Sequence, residues 1–228
     1  MREHAAGTPV PEGRTLRHFV GDAVWSALIS QAYERSHPAG TVLLRQGEPG
    51  THVLAVLGGV VKVVREEHGA ATLLAFRGPG ELLGEVAVLD DQLRSATVQA
   101  ISRCAVGVVT KDRFLDFAAE RNLFPVLVRY ALTRLRESDQ ARGAGDVVAR
   151  LATTLVALAD MAGPGTGTPA GPLELALTRQ ELGRHLGLSR NTVTAALATL
   201  EPLGVHPARG RILVTDLAAL RRTAGSGG

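Results

Sequence analysis

Between residues 37 and 109 the chain consists of short runs of β-branched and other apolar residues, separated by turns that contain glycine. These runs span residues 41–44, 53–57, 60–64, 72–76, 96–100 and 105–109. Runs of this length at this spacing are too short for helices and are typical of the strands of a sandwich or barrel. The sequence therefore predicts a β-sandwich or barrel-like roll in this part of the chain.

Helical spacing of apolar residues follows and precedes the predicted roll, over residues 21–32, 111–120 and 123–140. The third stretch carries a continuous stripe formed by Leu127, Tyr130, Ala131, Leu135 and Ser138. A stripe this continuous is typical of a seam between two copies of a helix. The alternative is an ordinary helix packed on its own domain. At the N-terminus, residues 1–20 are polar and predict a loose tail.

The last part of the chain has the signals of two short helices joined by a tight turn. After a connector over residues 163–172, Thr178 and Glu181 form a capping box that predicts the start of a helix. Gly187 is expected to end this helix, and Ser189 to cap the next one. Two helices joined in this way indicate a helix-turn-helix. A hairpin over residues 205–214 would follow it as a wing.

Charge supports a polyanion partner for this last part. From Leu173 onward there are seven arginines and four acidic residues, whereas the preceding residues carry 18 basic and 18 acidic groups. In a helix-turn-helix the N-terminal residues of the second helix enter the major groove of DNA. The residues expected to do so here are Ser189, Arg190, Asn191, Thr192 and Thr194, with Arg190 suited to guanine and Asn191 to adenine.

Phosphate contacts are expected from two further places. They are the start of the first helix and the wing: Thr178, Arg179, Gln180, Arg209 and Arg211. The alternative for the whole unit is a small helical protein-interaction domain with solvated arginines.

One segment of the predicted roll carries the groups that a sugar phosphate needs. Glu85, after Gly84, can accept hydrogen bonds from ribose hydroxyls, and Val86 begins a short apolar turn whose N–H groups can face an anion. Arg94, followed by Ser95, can hold a phosphate. The alternative is a structural ion pair between Arg94 and Glu85 with no ligand.

Composition excludes several other classes of protein. Cys104 is the single cysteine, so one chain cannot form a disulfide or a cysteine-ligated iron–sulfur cluster, and no metal site is expected. No long apolar run or secretory signal is present, so we expect no membrane contact and a cytoplasmic location. Asp90 and Asp91 are adjacent and would point apart, which argues against an enzyme that acts on the phosphate.

These motifs resemble those of the Crp/Fnr family of bacterial transcription regulators. Gly84-Glu85-Val86 with Arg94-Ser95-Ala96 is similar to its cyclic-nucleotide phosphate-binding cassette. Thr178–Leu182 and Ser189–Val193 are similar to its DNA-binding motif. The resemblance covers about residues 21–222.

The resemblance implies an α+β chain with an N-terminal cyclic-nucleotide-binding β-roll of jelly-roll type, a long dimerisation helix and a C-terminal winged helix-turn-helix. The corresponding ranges are a tail over 1–20, the sensor over 21–122, the helix over 123–143 and the DNA-binding domain over 144–228.

Residue roles follow from the same resemblance. Glu85 would bind the ribose 2′-hydroxyl, Arg94 and Ser95 the cyclic phosphate, and Gly84 would allow the backbone to approach it closely. Arg134 and Ser138 have the four-residue spacing at which the cAMP-receptor branch meets the purine. Asp139 stands where that branch has a small hydroxyl residue from the other subunit, so the preference for adenine stays open.

The implied function is a ligand-responsive transcription regulator that binds a palindromic DNA operator as a homodimer. Its effector would be a cyclic nucleotide, cAMP ahead of cGMP, and the resemblance allows RNA polymerase as a further partner. The alternative is a regulator that binds DNA without a cyclic nucleotide or senses another small molecule. Asn191 and Ala195 replace Glu and Arg of the cAMP-receptor branch, so we expect a different recognition sequence.

Overall fold

A computed structural model describes residues 15–67, 69–137, 146–163 and 172–225. Its first part contains the strands of the predicted roll. They are β1 (Tyr33–His37), β2 (Val42–Leu44), β3 (His52–Gly58), β4 (Val61–Glu67), β5 (Ala70–Arg77), β6 (Leu82–Leu83), β7 (Thr97–Ala100) and β8 (Cys104–Thr110). The six runs identified in the sequence correspond to β2, β3, β4, β5, β7 and β8, so the prediction of a roll is confirmed.

Two antiparallel sheets form the roll, with strand orders β1-β8-β3-β6 and β2-β7-β4-β5. Leu54 and Val56 of β3 pack against residues of the second sheet, whereas Val53 and Ala55 on the other face of β3 pack under helices. Strand β3 is therefore buried on both faces, which explains why it is apolar without alternation. Cys104 is buried in β8 as a small apolar residue, and burial raises the pKa of its thiol to about 11.

Helices cover the outer face of the first sheet. They are α1 (Leu16–Val20), α2 (Asp22–Ile29), α3 (Glu85–Leu89), α4 (Lys111–Glu120) and α5 (Phe124–Glu137). The prediction of a loose tail to residue 20 is wrong at its end, because α1 buries Leu16 in the sensor core. The backbone N–H of Arg17 donates to the carbonyl of Gly80 at 3.0 Å. This segment is thus part of the sensor.

The apolar face that α5 presents to solvent is not the stripe identified in the sequence. Leu127 and Tyr130 are 2 % and 1 % exposed, because they pack into the sensor core. The exposed apolar residues are Phe124, Val128 and Leu132, at 41 %, 58 % and 49 %. Leu127 and Tyr130 of the predicted stripe therefore pack within their own domain. Ser138 and Asp139 lie outside the described residues.

The C-terminal part contains α6 (Val147–Ala162), α7 (Arg179–Leu186), α8 (Arg190–Leu200) and α9 (Leu217–Gly225). A three-stranded sheet, in the order β10-β11-β9, combines β9 (Leu173–Leu175) with the hairpin β10 (Val205–Ala208) and β11 (Arg211–Val214). The helix-turn-helix and the wing are as predicted. Strand β9 and helix α9 were not predicted.

The DNA-binding part and the sensor share a hydrophobic core. Leu182, Val193 and Leu197 cluster with Val60 and Ile101 of the sensor. The backbone N–H of Ala176 also donates to the carbonyl of Ile101 at 2.6 Å. The two parts are therefore in direct contact in this structure.

Candidate effector site and nucleic-acid interface

The effector site is built around Gly84, which joins β6 to the short helix α3. Its backbone is left-handed, with φ of 78°, and it occupies the N-cap position of α3. A Cβ there would lie 2.3 Å from Nη1 of Arg94 and 2.9 Å from Cδ1 of Leu44. Any side chain at this position would therefore be strained and would displace the arginine.

Arg94 is a buried cation at this site and is 4 % exposed. Its Nη1 donates to the carbonyl of Gly84 at 2.6 Å, and its Nη2 donates to the carbonyl of His52 at 2.5 Å. Its backbone N–H donates to the carbonyl of Glu48 at 2.8 Å, which fixes the start of the side chain. Burial lowers the pKa of Arg94, while the negative charges of Glu85 and Glu48 oppose this shift.

Glu85 is the first residue of α3, and it contributes a carboxyl group whose ionisation the fold disfavours. Burial raises its pKa to about 7, and the negative charge of Glu81 adds to this effect. The charges of Arg77 and Arg134 act in the opposite direction. Among the described residues, Arg94 and Glu85 form no ion pair, so the ion pair offered as the structural alternative is not formed.

A second buried acid, Glu81, connects this segment to α5. The hydroxyl of Tyr130 lies 2.6 Å from Oε2 of Glu81 and 3.1 Å from the carbonyl oxygen of Leu82. Nη2 of Arg134 donates to the same carboxylate, at 2.5 Å from Oε2. Burial raises the pKa of Tyr130, and the charge of Glu81 raises it further.

Arg134 therefore contacts an acid of its own sensor domain, and its guanidinium lies 4.8 Å from the centre of the Tyr130 ring. Sequence reasoning assigned Arg134 to the purine and missed Glu81 and Tyr130. A possible signal was an acid placed directly before the apolar residues of β6, because a buried acid requires a partner.

Two further predicted effector residues, Val86 and Ser95, are exposed next to Glu85 and Arg94. The side chain of Val86 is 45 % exposed on α3, and Ser95 is exposed beside Arg94. The structure thus brings together Gly84, Glu85 and Arg94, and Ser95 directly follows Arg94 in the sequence.

The helix-turn-helix is fixed by its caps. Oγ1 of Thr178 accepts from the backbone N–H of Glu181 at 3.1 Å, and the Glu181 side chain accepts from the backbone N–H of Thr178 at 2.8 Å. Gly187 ends α7 in the left-handed region, with φ of 68°. Oγ of Ser189 then accepts from the backbone N–H of Thr192 at 3.1 Å, which starts α8.

One face of α8 is buried and the other carries the candidate DNA-reading groups. Val193, Leu197 and Leu200 have no solvent exposure. Arg190 and Asn191 are exposed in the first turn. Thr194 is exposed as well, but its hydroxyl donates to the carbonyl of Arg190 at 2.9 Å. Ser189 and Thr192 also have local roles, because they cap the helix.

The candidate phosphate contacts differ in how freely they reach solvent. Thr178, Gln180 and Arg209 are exposed, and Arg209 occupies the turn of the wing. Arg211 is paired with Glu174 of β9, with 3.1 Å between Nη1 and Oε1. Arg179 is only half-exposed, and its Nε is buried without a hydrogen-bond partner within the described ranges.

Comparisons with known proteins agree with this two-part geometry. Residues 34–121 match the model of the cyclic nucleotide-binding domain, and residues 149–223 match that of the Crp-like helix-turn-helix domain. The chain belongs to the Crp/Fnr family of transcription regulators.

Curated members of the family are similar over most of their length. The cAMP-activated global transcriptional regulator CRP of Salmonella typhimurium is 29% identical over 192 residues, which cover 82% of this chain and 90% of that protein. The CRP-like cAMP-activated global transcriptional regulator of Mycobacterium tuberculosis is 29% identical over 207 residues, covering 87% and 91%.

Solved structures of Crp/Fnr proteins share the fold. A family member from Thermus thermophilus is 26% identical with a TM-score of 0.55, covering 86% of this chain and 100% of that one. The c-di-GMP responsive global regulator CLP of Xanthomonas campestris has a TM-score of 0.55 at 22% identity, covering 84% and 98%.

Two further findings concern sites of other kinds. Across the described residues, the structure contains no helix that is long and apolar enough to cross a membrane. The same residues include no cluster of three or more histidine, cysteine or acidic side chains that could hold a metal ion.

Proposed function

We propose that this family member is a homodimer whose binding to a palindromic DNA operator is gated by a cyclic nucleotide, with cAMP as the effector. The observation that carries the proposal is the buried Arg94, which is held by main-chain carbonyls beside the glycine that opens α3. A buried cation that is held in place but forms no ion pair with the neighbouring acid, Glu85, is suited to a compact anion.

Arg94 would contribute its charge and remaining N–H groups to the cyclic phosphate. The backbone N–H groups of the first turn of α3 and the hydroxyl of Ser95 would add hydrogen bonds. Ionised Glu85 would accept from a ribose hydroxyl on the other side of the phosphate. The left-handed Gly84 permits the ligand to approach because it has no side chain.

The choice of cAMP rests on the relatives. The Salmonella typhimurium and Mycobacterium tuberculosis regulators are cAMP-activated by name, whereas the structurally similar Xanthomonas campestris regulator is named as responsive to c-di-GMP. Arg134 is bound to Glu81, so it supports no particular base. A different nucleotide effector is therefore the second candidate.

Dimerisation is proposed through α5. Phe124, Val128 and Leu132 follow one another at four-residue spacing and are each at least 41 % exposed. A second copy of α5 packed in parallel would bury these three side chains. The two α8 helices could then reach successive major grooves, with Arg190 and Asn191 at the base edges and Thr178, Gln180 and Arg209 at phosphates.

The proposal can be tested on DNA sites selected from a random pool by the purified protein. Fluorescence anisotropy would measure the affinity for a selected site without nucleotide and with cAMP, cGMP or c-di-GMP. We expect cAMP to strengthen DNA binding more than the other two nucleotides do. Calorimetry would measure cAMP binding in the absence of DNA.

The possible outcomes separate the candidates. Equal DNA affinity in all four conditions, together with no heat from cAMP, would establish a regulator that does not depend on these nucleotides. A response to c-di-GMP alone would replace the effector and retain the rest of the proposal.

A further inference from the structure

Lys62 is a sensor residue that reaches the DNA-binding domain. It lies on β4 and is 5 % exposed. Its Nζ lies 2.5 Å from Oε1 of Glu181 on α7 and 3.3 Å from the carbonyl oxygen of Ala176. The chain has one other lysine, Lys111, which pairs with the exposed Asp91 inside the sensor. The two lysines thus differ in whether their ion pair joins two domains.

Glu181 takes part in two contacts through its two oxygens. Oε2 accepts from the backbone N–H and the hydroxyl of Thr178, both at 2.8 Å, and so completes the cap of α7. Oε1 binds Lys62. Burial disfavours ionisation of Glu181, but the hydrogen bonds from Lys62 and Thr178 outweigh it and lower the pKa. The carboxylate is therefore charged at neutral pH and depends on Lys62 for neutralisation.

Neighbouring contacts hold the same helix against the same sheet. The rings of Phe76 on β5 and His185 on α7 meet edge to face, 4.8 Å apart. At the start of α7, Arg179 has its Nε buried without a hydrogen-bond partner in the described part of the chain. One candidate phosphate-binding residue is therefore partly withdrawn from solvent in this arrangement.

We propose that the Lys62–Glu181 ion pair is a latch that holds the helix-turn-helix against the sensor in a state of low DNA affinity. This inference rests on the proposed function, because it describes how the DNA-binding domain is restrained before the effector binds. Removing one member leaves the other as a buried uncompensated charge. Loss of Lys62 therefore favours any arrangement in which Glu181 reaches water and α7 is released.

The consequence for DNA binding is a population shift. If the released arrangement is the one that binds DNA well, then weakening the latch raises the affinity of the ligand-free protein. In the liganded protein α7 is already released, so weakening the latch raises its DNA affinity little. The ratio between liganded and ligand-free affinity must then fall.

The test compares Lys62→Met with Lys111→Met as the matched control. Anisotropy with a selected DNA site would measure affinity with and without cAMP. We expect Lys62→Met to bind DNA about tenfold more tightly than wild type without cAMP, and to respond less to cAMP. Lys111→Met should retain the affinities of the wild type. Glu181→Gln tests the pair from the other side, because its amide oxygen can still accept from Thr178.

Hydrogen exchange provides a readout that does not require DNA. Amides of residues 179–186 should exchange faster in Lys62→Met than in wild type, while those of β3 remain protected. Unchanged exchange in α7, or ligand-free DNA affinity equal to wild type in both Lys62→Met and Glu181→Gln, would overturn the latch. If wild type bound DNA under no condition, the proposed function would fail and the exchange result would still decide on the latch.

Discussion

The two arginines assigned to the two ligands, Arg94 and Arg190, differ in almost every physical respect. Arg94 is buried, and two of its nitrogens donate to main-chain carbonyls of the sensor. Arg190 is exposed on the first turn of α8, and its side chain has no hydrogen bond to the described residues. The effector site is therefore part of the packed interior, whereas the DNA-reading surface is the solvent-exposed face of α8.

This difference predicts which substitutions affect stability as well as binding. When a buried polar side chain is removed, its former hydrogen-bond partners stay buried without a partner. Their desolvation cost then lowers the free energy of unfolding. An exposed arginine can be removed without disturbing such partners. Three experiments test the contrast, in order of expected effect.

The largest effect is expected for Arg94→Ala. The carbonyls of Gly84 and His52 would lose their donor, at roughly 1–3 kcal/mol each, so the free energy of unfolding should fall by about 2–6 kcal/mol. Calorimetric heat from cAMP should disappear at temperatures where the variant is folded. Arg113→Ala is the control, because Arg113 is exposed and donates to the carbonyl of Gln31 at 3.4 Å. A free energy of unfolding equal to that of wild type in Arg94→Ala would contradict the predicted difference between buried and exposed arginines.

An intermediate effect is expected for Arg190→Ala. Its free energy of unfolding should stay within about 0.5 kcal/mol of wild type, because the side chain is exposed. Its affinity for a selected DNA site should fall by about 1–3 kcal/mol, with relaxed preference at one base pair. Arg184→Ala serves as the control, because Arg184 is an exposed arginine near the C-terminal end of α7. An equal loss on all DNA sequences would reassign Arg190 from a base to a phosphate.

The smallest effect concerns pH and Glu85. Its pKa of about 7 in the fold lies above the value of 4.5 for a free side chain, so its protonated form is favoured by folding. This contribution to stability is present below pH 4.5 and is lost as pH rises through 7. A ribose hydroxyl that donates to the carboxylate would lower the pKa, so cAMP affinity should increase between pH 6 and 8. The increase is about fivefold for a fall of one pKa unit on binding.

Calorimetry of wild type and Glu85→Gln would measure this dependence, and the variant should lack it. His52 must be controlled with His52→Gln, since burial and Arg94 lower its pKa and an anionic ligand would act in the opposite direction. Affinity that falls with rising pH in His52→Gln would contradict ribose binding by ionised Glu85.

Local patterns were sufficient for much of the fold. Runs of β-branched residues located six strands, and the capping box at Thr178 with the turn at Gly187 located the helix-turn-helix. Strand β1 was missed because Tyr33–His37 is a polar, largely exposed strand at the edge of its sheet. Helix α1 was missed because one buried residue, Leu16, gives no periodic signal.

The contacts that join the parts of the molecule could not be read from the sequence. Glu81 and Arg134 are 53 positions apart, and Lys62 and Glu181 are 119 apart. Charged residues in such strands and helices are ordinarily solvated, and local spacing contains no information about a distant partner. The same limit explains why Leu127 and Tyr130 of α5 were assigned to a seam between two copies of the helix. Periodicity shows that a helix has an apolar face, but it does not show which neighbour covers that face.

The contact between α1 and Gly80 has a consequence for how this protein is dissected. A Cβ at Gly80 would lie 2.9 Å from Oγ1 of Thr15 and 3.2 Å from Cβ of Arg17, so these two residues pack directly on the turn before β6. The cyclic nucleotide-binding model begins matching at residue 34. A fragment cut at that boundary would lack Leu16, Trp25 and Leu28, which belong to the sensor core. The sensor therefore folds as a longer unit than the region by which its family is identified.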